Sequence, residues 1–228
     1  MALDLASLPD VSALTVGILG GTGDQGRGLA YRLALAGQAV LIGSRSADRA
    51  AASAAELAEL SGGNVAGGDN ADVARRSDVL IVAVPYAGHA DTLAGLVEQL
   101  VGKIVVDCVN PLGFDKQGPY ALRVEEGSAA QQAAAILPEA RVTAAFHHVS
   151  AELLADPAVT RMDLDILVLG DDRDAVAVVQ ALAGRIPGMR GIHAGRLRNA
   201  AQVEALTANL IAMNKRYKAH SGIRITDV

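Results

Sequence analysis

Three parts of this sequence hold residues whose types and spacing could carry chemistry. The first is Gly21-Thr22-Gly23-Asp24-Gln25-Gly26, which fits the pattern GxGxxG. In a chain with 24 glycines that string alone is weak, but its setting is specific. It follows a short apolar run, Leu14 to Gly20 (LTVGILG), and opens a segment from Asp24 to Ala36 with Leu29, Leu33 and Leu35 at helical spacing. A strand, a tight turn and a helix are the parts a pyrophosphate site needs. The first glycine allows the turn, the second lets backbone approach the phosphates, and the third lets helix and strand pack closely. Free N–H groups and the positive end of the helix dipole then face the anion.

The second part lies at the end of the next apolar run, Ala39 to Gly43 (AVLIG). A site that prefers NAD places a carboxylate there to bind the ribose 2′-OH. This chain has Ser44 and Arg45, with Arg49 one turn further on. No carboxylate repels a 2′-phosphate, and Arg45 offers a planar fork suited to phosphate oxygens, so the reading is NADP rather than NAD.

The third part is the set of segments directly after the remaining apolar runs, since ligands of open parallel sheets sit beyond the carboxyl ends of the strands. These are Val84-Pro85-Tyr86, Val109-Asn110-Pro111-Leu112 and Ala145-Phe146-His147-His148. None presents an acid-base triad or metal-ligand spacing. Adjacent His147 and His148, read as extended, point to opposite faces and do not share a metal. Cys108 sits inside a strand and reads as a small buried hydrophobe. A dinucleotide site without a proton-transfer constellation suits hydride transfer between two redox carriers, which needs orientation and exclusion of water while the cofactors supply the chemistry.

The elements that must position these parts follow from periodicity. Apolar runs at Leu14 to Gly20, Ala39 to Gly43, Asp78 to Val84, Lys103 to Val109 and Arg141 to Phe146 predict strands, with a weaker one at Asn64 to Gly68. Helices are expected at Asp24 to Ala36, Ala47 to Leu60, Gly88 to Leu100 and Ser128 to Leu137. Continuous apolar strands alternating with helices mean strands buried on both faces, hence an α/β, Rossmann-type, doubly wound parallel sheet. Beyond about residue 150 the pattern loosens: Asp165 to Gly170 and Gly191 to Ala194 are strand-like, while Asp172 to Ala183 and Arg198 to Lys218 are helical. We expect a nucleotide-binding domain over 1–150 and a smaller C-terminal α/β portion over 151–228.

Composition agrees with that class. Of 228 residues, 51% are hydrophobic and 20% charged, which excludes a disordered chain and a stapled mini-protein. Aromatics are only 3%, so small aliphatics and glycine must fill the core. The formal charge of -5 argues against nucleic acid as a partner. A single cysteine points to a reducing, cytoplasmic setting. The segment MALDLASLPDVSAL has two acidic residues and no basic one, unlike a secretory signal. No apolar run reaches the roughly 20 residues that span a bilayer, so no membrane partner is expected. The charge is uneven: from Arg185 to Val228 eight basic residues stand against Glu204 and Asp227, a net of +6 that leaves -11 for the rest. An anionic ligand near that end would account for the asymmetry.

Taken together, GILGGTGDQGRGLAYRLALAG, IGSR with Arg49, VAVPYAGH and FHHV resemble the NADPH:coenzyme F420 oxidoreductases over nearly the whole chain. The resemblance implies NADP(H) as cofactor and F420 as co-substrate, with hydride passing reversibly between C4 of the nicotinamide and C5 of the deazaflavin. It implies a Rossmann domain, a small C-terminal domain closing the pocket, and a homodimer. By position, Thr22, Gly23, Asp24 and Gln25 would lie at the pyrophosphate, Ser44, Arg45 and Arg49 at the 2′-phosphate, and Val84 and Ala145 beside the nicotinamide. The phosphate and oligoglutamate tail of F420 would suit a basic rim. Asp24 is expected to cap its helix rather than face the anion, and the segment up to Val11 is expected to be a frayed arm. In the last long helix, Val203, Leu206, Leu210, Ile211 and Met213 suit packing on the main domain or a second subunit, and Thr207 is a candidate deazaflavin contact. Two other readings stay open. One is an NADPH-dependent reductase of flavin or of a small imine or carbonyl, for which His147 and Tyr86 are the near proton donors. The other is a non-catalytic NADP-sensing protein, which needs no second ligand pocket.

Overall fold

The computed structural model describes residues 7–228. Its first half runs β1 (Thr15–Leu19), α1 (Asp24–Leu35), β2 (Ala39–Ser44), α2 (Ala47–Ser61), β3 (Val65–Asp69), α3 (Asn70–Arg76), β4 (Val79–Val82), α4 (His89–Ala94) and β5 (Ile104–Asp107). A hairpin, β6 (Leu112–Asp115) and β7 (Gly118–Ala121), follows. The remainder is α5 (Ala129–Ile136), β8 (Arg141–Ala144), α6 (Ala151–Ala155), β9 (Asp165–Gly170), α7 (Arg173–Gly184), β10 (Arg190–Gly195) and α8 (Ala200–Tyr217). Helix starts carry their own signals: the side chains of Ser46, Asp69, Ser128 and Asp172 accept N–H groups of the first turns of α2, α3, α5 and α7.

Eight strands form one sheet in the order β10-β9-β8-β5-β4-β1-β2-β3. The six strands from β3 to β8 are parallel and wound in both directions from β1, the Rossmann-type arrangement the sequence predicts. Residues 151–228 add β9 and β10 to the same sheet. β9 pairs antiparallel with β8 through Thr143–Gly170 and Ala144–Leu169, and β10 is parallel to β9. The reversal was not visible in the sequence because an apolar run reports burial on both faces, not direction.

One face of the sheet is covered by α1, α2, α6 and α7, the other by α3, α4, α5 and the start of α8. Small residues permit this closeness: a Cβ on Gly28 of α1 would lie 2.6 Å from the Leu154 side chain of α6. Register aligns the carboxyl ends. Gly43, Leu19, Val82, Asp107 and Ala144 pair in one row across β2, β1, β4, β5 and β8. Every segment singled out for chemistry therefore leaves the sheet just past one line.

Three elements are additions and two expectations change. The polar α3, the five-residue α6 and the β6–β7 hairpin have no apolar period to announce them. The helix expected from Gly88 to Leu100 is interrupted, with α4 ending at Ala94, capped by Gly95, and a short 3-10 turn at Glu98–Leu100. The expected arm up to Val11 falls partly outside the described residues, and at its end it is not frayed. Val11 is buried in the core, and its carbonyl accepts Gln38 Nε2 at 2.9 Å. At the other end Asp165 anchors the tail, accepting a two-pronged bond from Arg190 at 2.7 and 2.7 Å and the Ile225 N–H. Burial alone would raise the Asp165 carboxyl, but these donors hold it below the usual carboxylate range.

Candidate functional site

The glycine turn connects β1 to α1 as expected. Gly20 has φ +73, and a Cβ there would meet the Ala83 carbonyl oxygen at 2.5 Å. Gly21 lies against Ile42, and a Cβ on Gly26 would sit 2.5 Å from the Gly20 carbonyl oxygen, so helix and turn touch through backbone. Gly23 is different: it is exposed, and its nearest obstruction is 3.4 Å away. It is also the N-cap of α1, and no side chain caps the helix there. The expected cap by Asp24 is absent; its exposed side chain stands in the first turn, compatible with the dipole, and no side chain caps the N–H groups of that first helical turn, although the Gly23 N–H itself donates to the Gly20 carbonyl at 2.9 Å.

Gly26→Ala forces the turn open against backbone rather than a flexible side chain. Dinucleotide affinity is expected to fall about tenfold or more, the scale of 1–3 kcal/mol for strain at such a position. Calorimetric titration with NADP+ checks this, and an unchanged Kd would remove the turn from the binding site.

Beside the turn, Ser44 ends β2 and Arg45 and Arg49 bracket the start of α2. Both arginines are exposed, and neither forms an ion pair among the described residues. Two unpaired guanidinium groups at a helix N-terminus make a local positive field suited to a phosphate monoester.

The segments beyond β5 and β8 meet α8 and Gln25 of α1 around a cleft of about 260 Å3, which the segment beyond β4 does not line. Gln25, Asn110, His147 and Thr207, all singled out in the sequence, line it together. The Asn110 amide donates to the His147 carbonyl at 2.8 Å, and Thr207 Oγ1 donates to the same carbonyl at 3.1 Å. Gln25 Nε2 donates to the Phe146 carbonyl at 3.3 Å. Phe146 itself is fully buried with φ +64, an uncommon conformation for a bulky residue, which turns the chain sharply out of β8. Residues 147–149 therefore form a turn instead of continuing the strand, and both histidines border the cleft, unlike the opposite facing expected of an extended pair.

The two histidines differ in their partners. His148 Nε2 bonds the Asp165 carbonyl at 3.2 Å, whereas neither ring nitrogen of His147 has a partner although the residue is only 3% exposed. Burial, then the neighbouring His148, pulls His147 down to about 3, so its ring is neutral and offers one donor and one acceptor. Val84 is half-buried and Pro85 exposed, while Val109 and Pro111 are buried. Ala145 is fully buried in the core, so at the sheet edge it presents backbone only. Cys108 is also buried; its thiol donates to the Val82 carbonyl at 3.0 Å, and burial and Asp107 push its ionisation up.

Behind the cleft lies a buried cluster that sequence reading missed. His89 Nε2 contacts Asp107 Oδ2 at 2.6 Å and Nδ1 contacts Gln132 Oε1 at 2.9 Å. Both partners are acceptors, with Gln132 Nε2 turned to Glu126, so both ring nitrogens donate and His89 is an imidazolium. Burial opposes that charge, but Asp107 and Gln132 outweigh it and raise His89 above its ordinary value. Glu204 of α8, 2% exposed, accepts the Ala129 and Ala130 N–H groups at 2.9 and 3.1 Å. Burial pushes its carboxyl up to about 7 against the pull of those N–H bonds.

The basic C-terminal excess is more dispersed than its sequence total suggests. Arg190 and Arg224 face Asp165, Arg196 faces Asp171, and Arg185 donates to the Ala36 carbonyl. Lys215, Arg216 and Lys218 remain without ion pairs among the described residues, next to Asn214 and Ser221 of the cleft.

Comparison with known proteins gives a consistent result. Residues 15–111 match the family described as NADP oxidoreductase, coenzyme F420-dependent. The chain is 39% identical over 226 residues to the F420-dependent NADP reductase of Methanothermobacter thermautotrophicus, covering 96% of this chain and 97% of the relative. It is 40% identical over 223 residues to the F420-dependent NADP reductase of Methanocaldococcus jannaschii, with 94% and 99% covered. A solved structure of a candidate F420-dependent NADP-reductase from Arthrobacter sp. FB24 is 28% identical, covers 94% of this chain and all of that one (100%), and superposes with a TM-score of 0.78.

Proposed function

The chain belongs to the family of coenzyme F420-dependent NADP oxidoreductases, and we propose how its cleft brings two redox carriers together. It is an oxidoreductase that moves a hydride reversibly between C4 of the NADPH nicotinamide and C5 of the F420 deazaflavin. The carriers supply the redox chemistry when bound; the protein binds them, orients them and keeps water out.

The observation that carries the site assignment is the convergence of Gln25, Asn110, His147 and Thr207 on one cleft, at the row where the sheet ends. Residues 21–26 would hold the pyrophosphate, with Ser44, Arg45 and Arg49 at the 2′-phosphate. Val84, Pro85, Val109, Asn110, Pro111, Ala145 and His147 would flank the nicotinamide. His147 fits because its unpartnered buried nitrogens need a ligand's polar atoms for satisfaction. Thr207 reaches the same place from α8 and would meet the deazaflavin, with Lys215, Arg216 and Lys218 toward its anionic tail. Residues 1–150 thus serve as the NADP-binding part and 151–228 as the part that closes the pocket. We further read the protein as a cytoplasmic homodimer. Half of its six aromatic residues, Phe114, Tyr120 and Tyr217, are exposed at 68%, 47% and 73% on the hairpin and α8, which supports an apolar contact between copies.

The test mixes protein and NADPH with F420, FMN or FAD and follows bleaching of each acceptor. F420 should be reduced mole for mole with NADPH oxidised, and the flavins should persist. Bleaching of a flavin but not of F420 would overturn the reading.

A further inference from the structure

We propose that Glu204 is a positioning residue for hydride transfer, setting the height of α8 over the sheet edge. Its carboxylate is one foot of the helix, fixed on the first turn of α5 through Ala129 and Ala130 N–H at 2.9 and 3.1 Å. Thr207 lies three residues on, and therefore on the same face of α8. It holds the His147 carbonyl and meets Asn110 Oδ1 at 3.3 Å. A shift of the helix at Glu204 is transmitted to the cleft wall within one turn. The inference rests on the reading of that cleft as the hydride site.

The surroundings make this foot sensitive to its proton. Facing Glu204 are Asp107 at the end of β5, His89 at the start of α4 and Tyr86 just before it, with Glu126 linked to His89 through Gln132. Asp107 opposes a second negative charge and the His89 imidazolium favours it. The ionised carboxylate offers both oxygens fully to the two N–H groups; protonation makes one oxygen a donor and weakens it as an acceptor. The aligned α8 thus belongs to the ionised form, which burial disfavours.

Two consequences run in opposite directions. Activity should rise with pH through about 7 as Glu204 ionises. Stability should fall over the same range: a carboxyl whose folded value is raised above its unfolded value favours the fold while protonated, and that contribution is lost as pH rises through the folded value. A residue that merely supported the fold would move activity and stability together.

The experiment uses the full chain and its Glu204→Gln and Glu204→Asp variants at several pH values between 6 and 8. It measures kcat with both carriers saturating, melting temperature, and the Kd for NADP+ without F420. In both variants NADP+ should bind within about twofold of the parent, which also reports folding, because Glu204 bonds α5 and touches neither the glycine turn nor Arg45. The parent should show a step in kcat near pH 7; Glu204→Gln should lack it and have about tenfold lower kcat at pH 8, the size expected for a sub-ångström misplacement. It should also melt higher relative to the parent as pH rises. Glu204→Asp, one methylene too short to reach α5, should lower kcat as much. Titrations of the carriers are common to all three proteins and cancel. A parental pH profile in Glu204→Gln, or loss of NADP+ binding in step with kcat, overturns the inference. Failure of the parent itself to reduce F420 overturns the reading beneath it instead.

Discussion

Arg45→Ala should raise the KM for NADPH by roughly 10- to 100-fold and leave the KM for NADH within about twofold, the signature of losing charge-assisted hydrogen bonds to one phosphate. Register brings Arg45 beside the glycine turn. Leu19 pairs with Gly43, so the glycine turn leaving β1 and the Ser44-Arg45 step leaving β2 are neighbours at the same edge. Ser46 fixes the start of α2 by accepting the Arg49 N–H at 3.4 Å, which keeps Arg49 on the same side as Arg45. No carboxylate occupies the end of β2 to grip a free 2′-OH. Steady-state kinetics with both nucleotides decide the matter, and equal losses for NADPH and NADH would detach Arg45 from the 2′-phosphate.

The second large effect is on stability. Arg32 lies in α1 at 3% exposure and donates to four backbone carbonyls. Nε bonds Leu154 at 2.8 Å, Nη1 bonds Val159 at 2.5 Å, and Nη2 bonds Leu153 and Asp156 at 2.7 Å each. One guanidinium thus satisfies the open end of α6 and the loop after it, with the Tyr31 ring 5.2 Å from its centre. Arg32→Met keeps the bulk and strands those carbonyls. The expected loss is about 3 kcal/mol or more, since each buried unsatisfied group costs roughly 1–3 kcal/mol. For a chain of this size that lowers Tm by roughly 6–12 °C. Arg32→Lys should recover little, because one ammonium cannot span four acceptors in a fixed fork. Scanning calorimetry measures the change, and a Tm within about 2 °C of the parent would contradict the account.

What could be read in the sequence follows from which interactions are local. The β1, β2 and β4 runs are apolar because both their faces are covered, and the glycine turn is legible because its requirements fall within six residues. Asn70–Arg76 escaped because NADVARR buries only Val73 and Ala74, too few for an apolar stripe, and depends on the Asp69 cap. The β6–β7 hairpin hides behind Gly118 and Pro119, residues that ordinarily signal a loop. The cluster behind the cleft is assembled across far longer separations: His89 to Asp107 is 18 residues, His89 to Gln132 is 43, and Glu204 to Ala129 is 75. No spacing rule reaches that far. His89 reads in sequence as a polar residue beside a turn, and only the fold reveals it as a buried cation. The basic C-terminal end erred the other way, since a charge total cannot tell that Arg190 and Arg224 share one buried carboxylate.

The row Gly43, Leu19, Val82, Asp107 and Ala144 also acts as a ruler. Adjacent strands sit about 4.8 Å apart, so the four steps from β2 to β8 separate the arginine end from the histidine end by about 19 Å. That length is graduated in backbone hydrogen bonds, and no side-chain substitution alters it. A dinucleotide must therefore lie stretched along the edge to touch both ends at once, while a curled one satisfies either end alone. The sheet measures its ligand before any side chain inspects it.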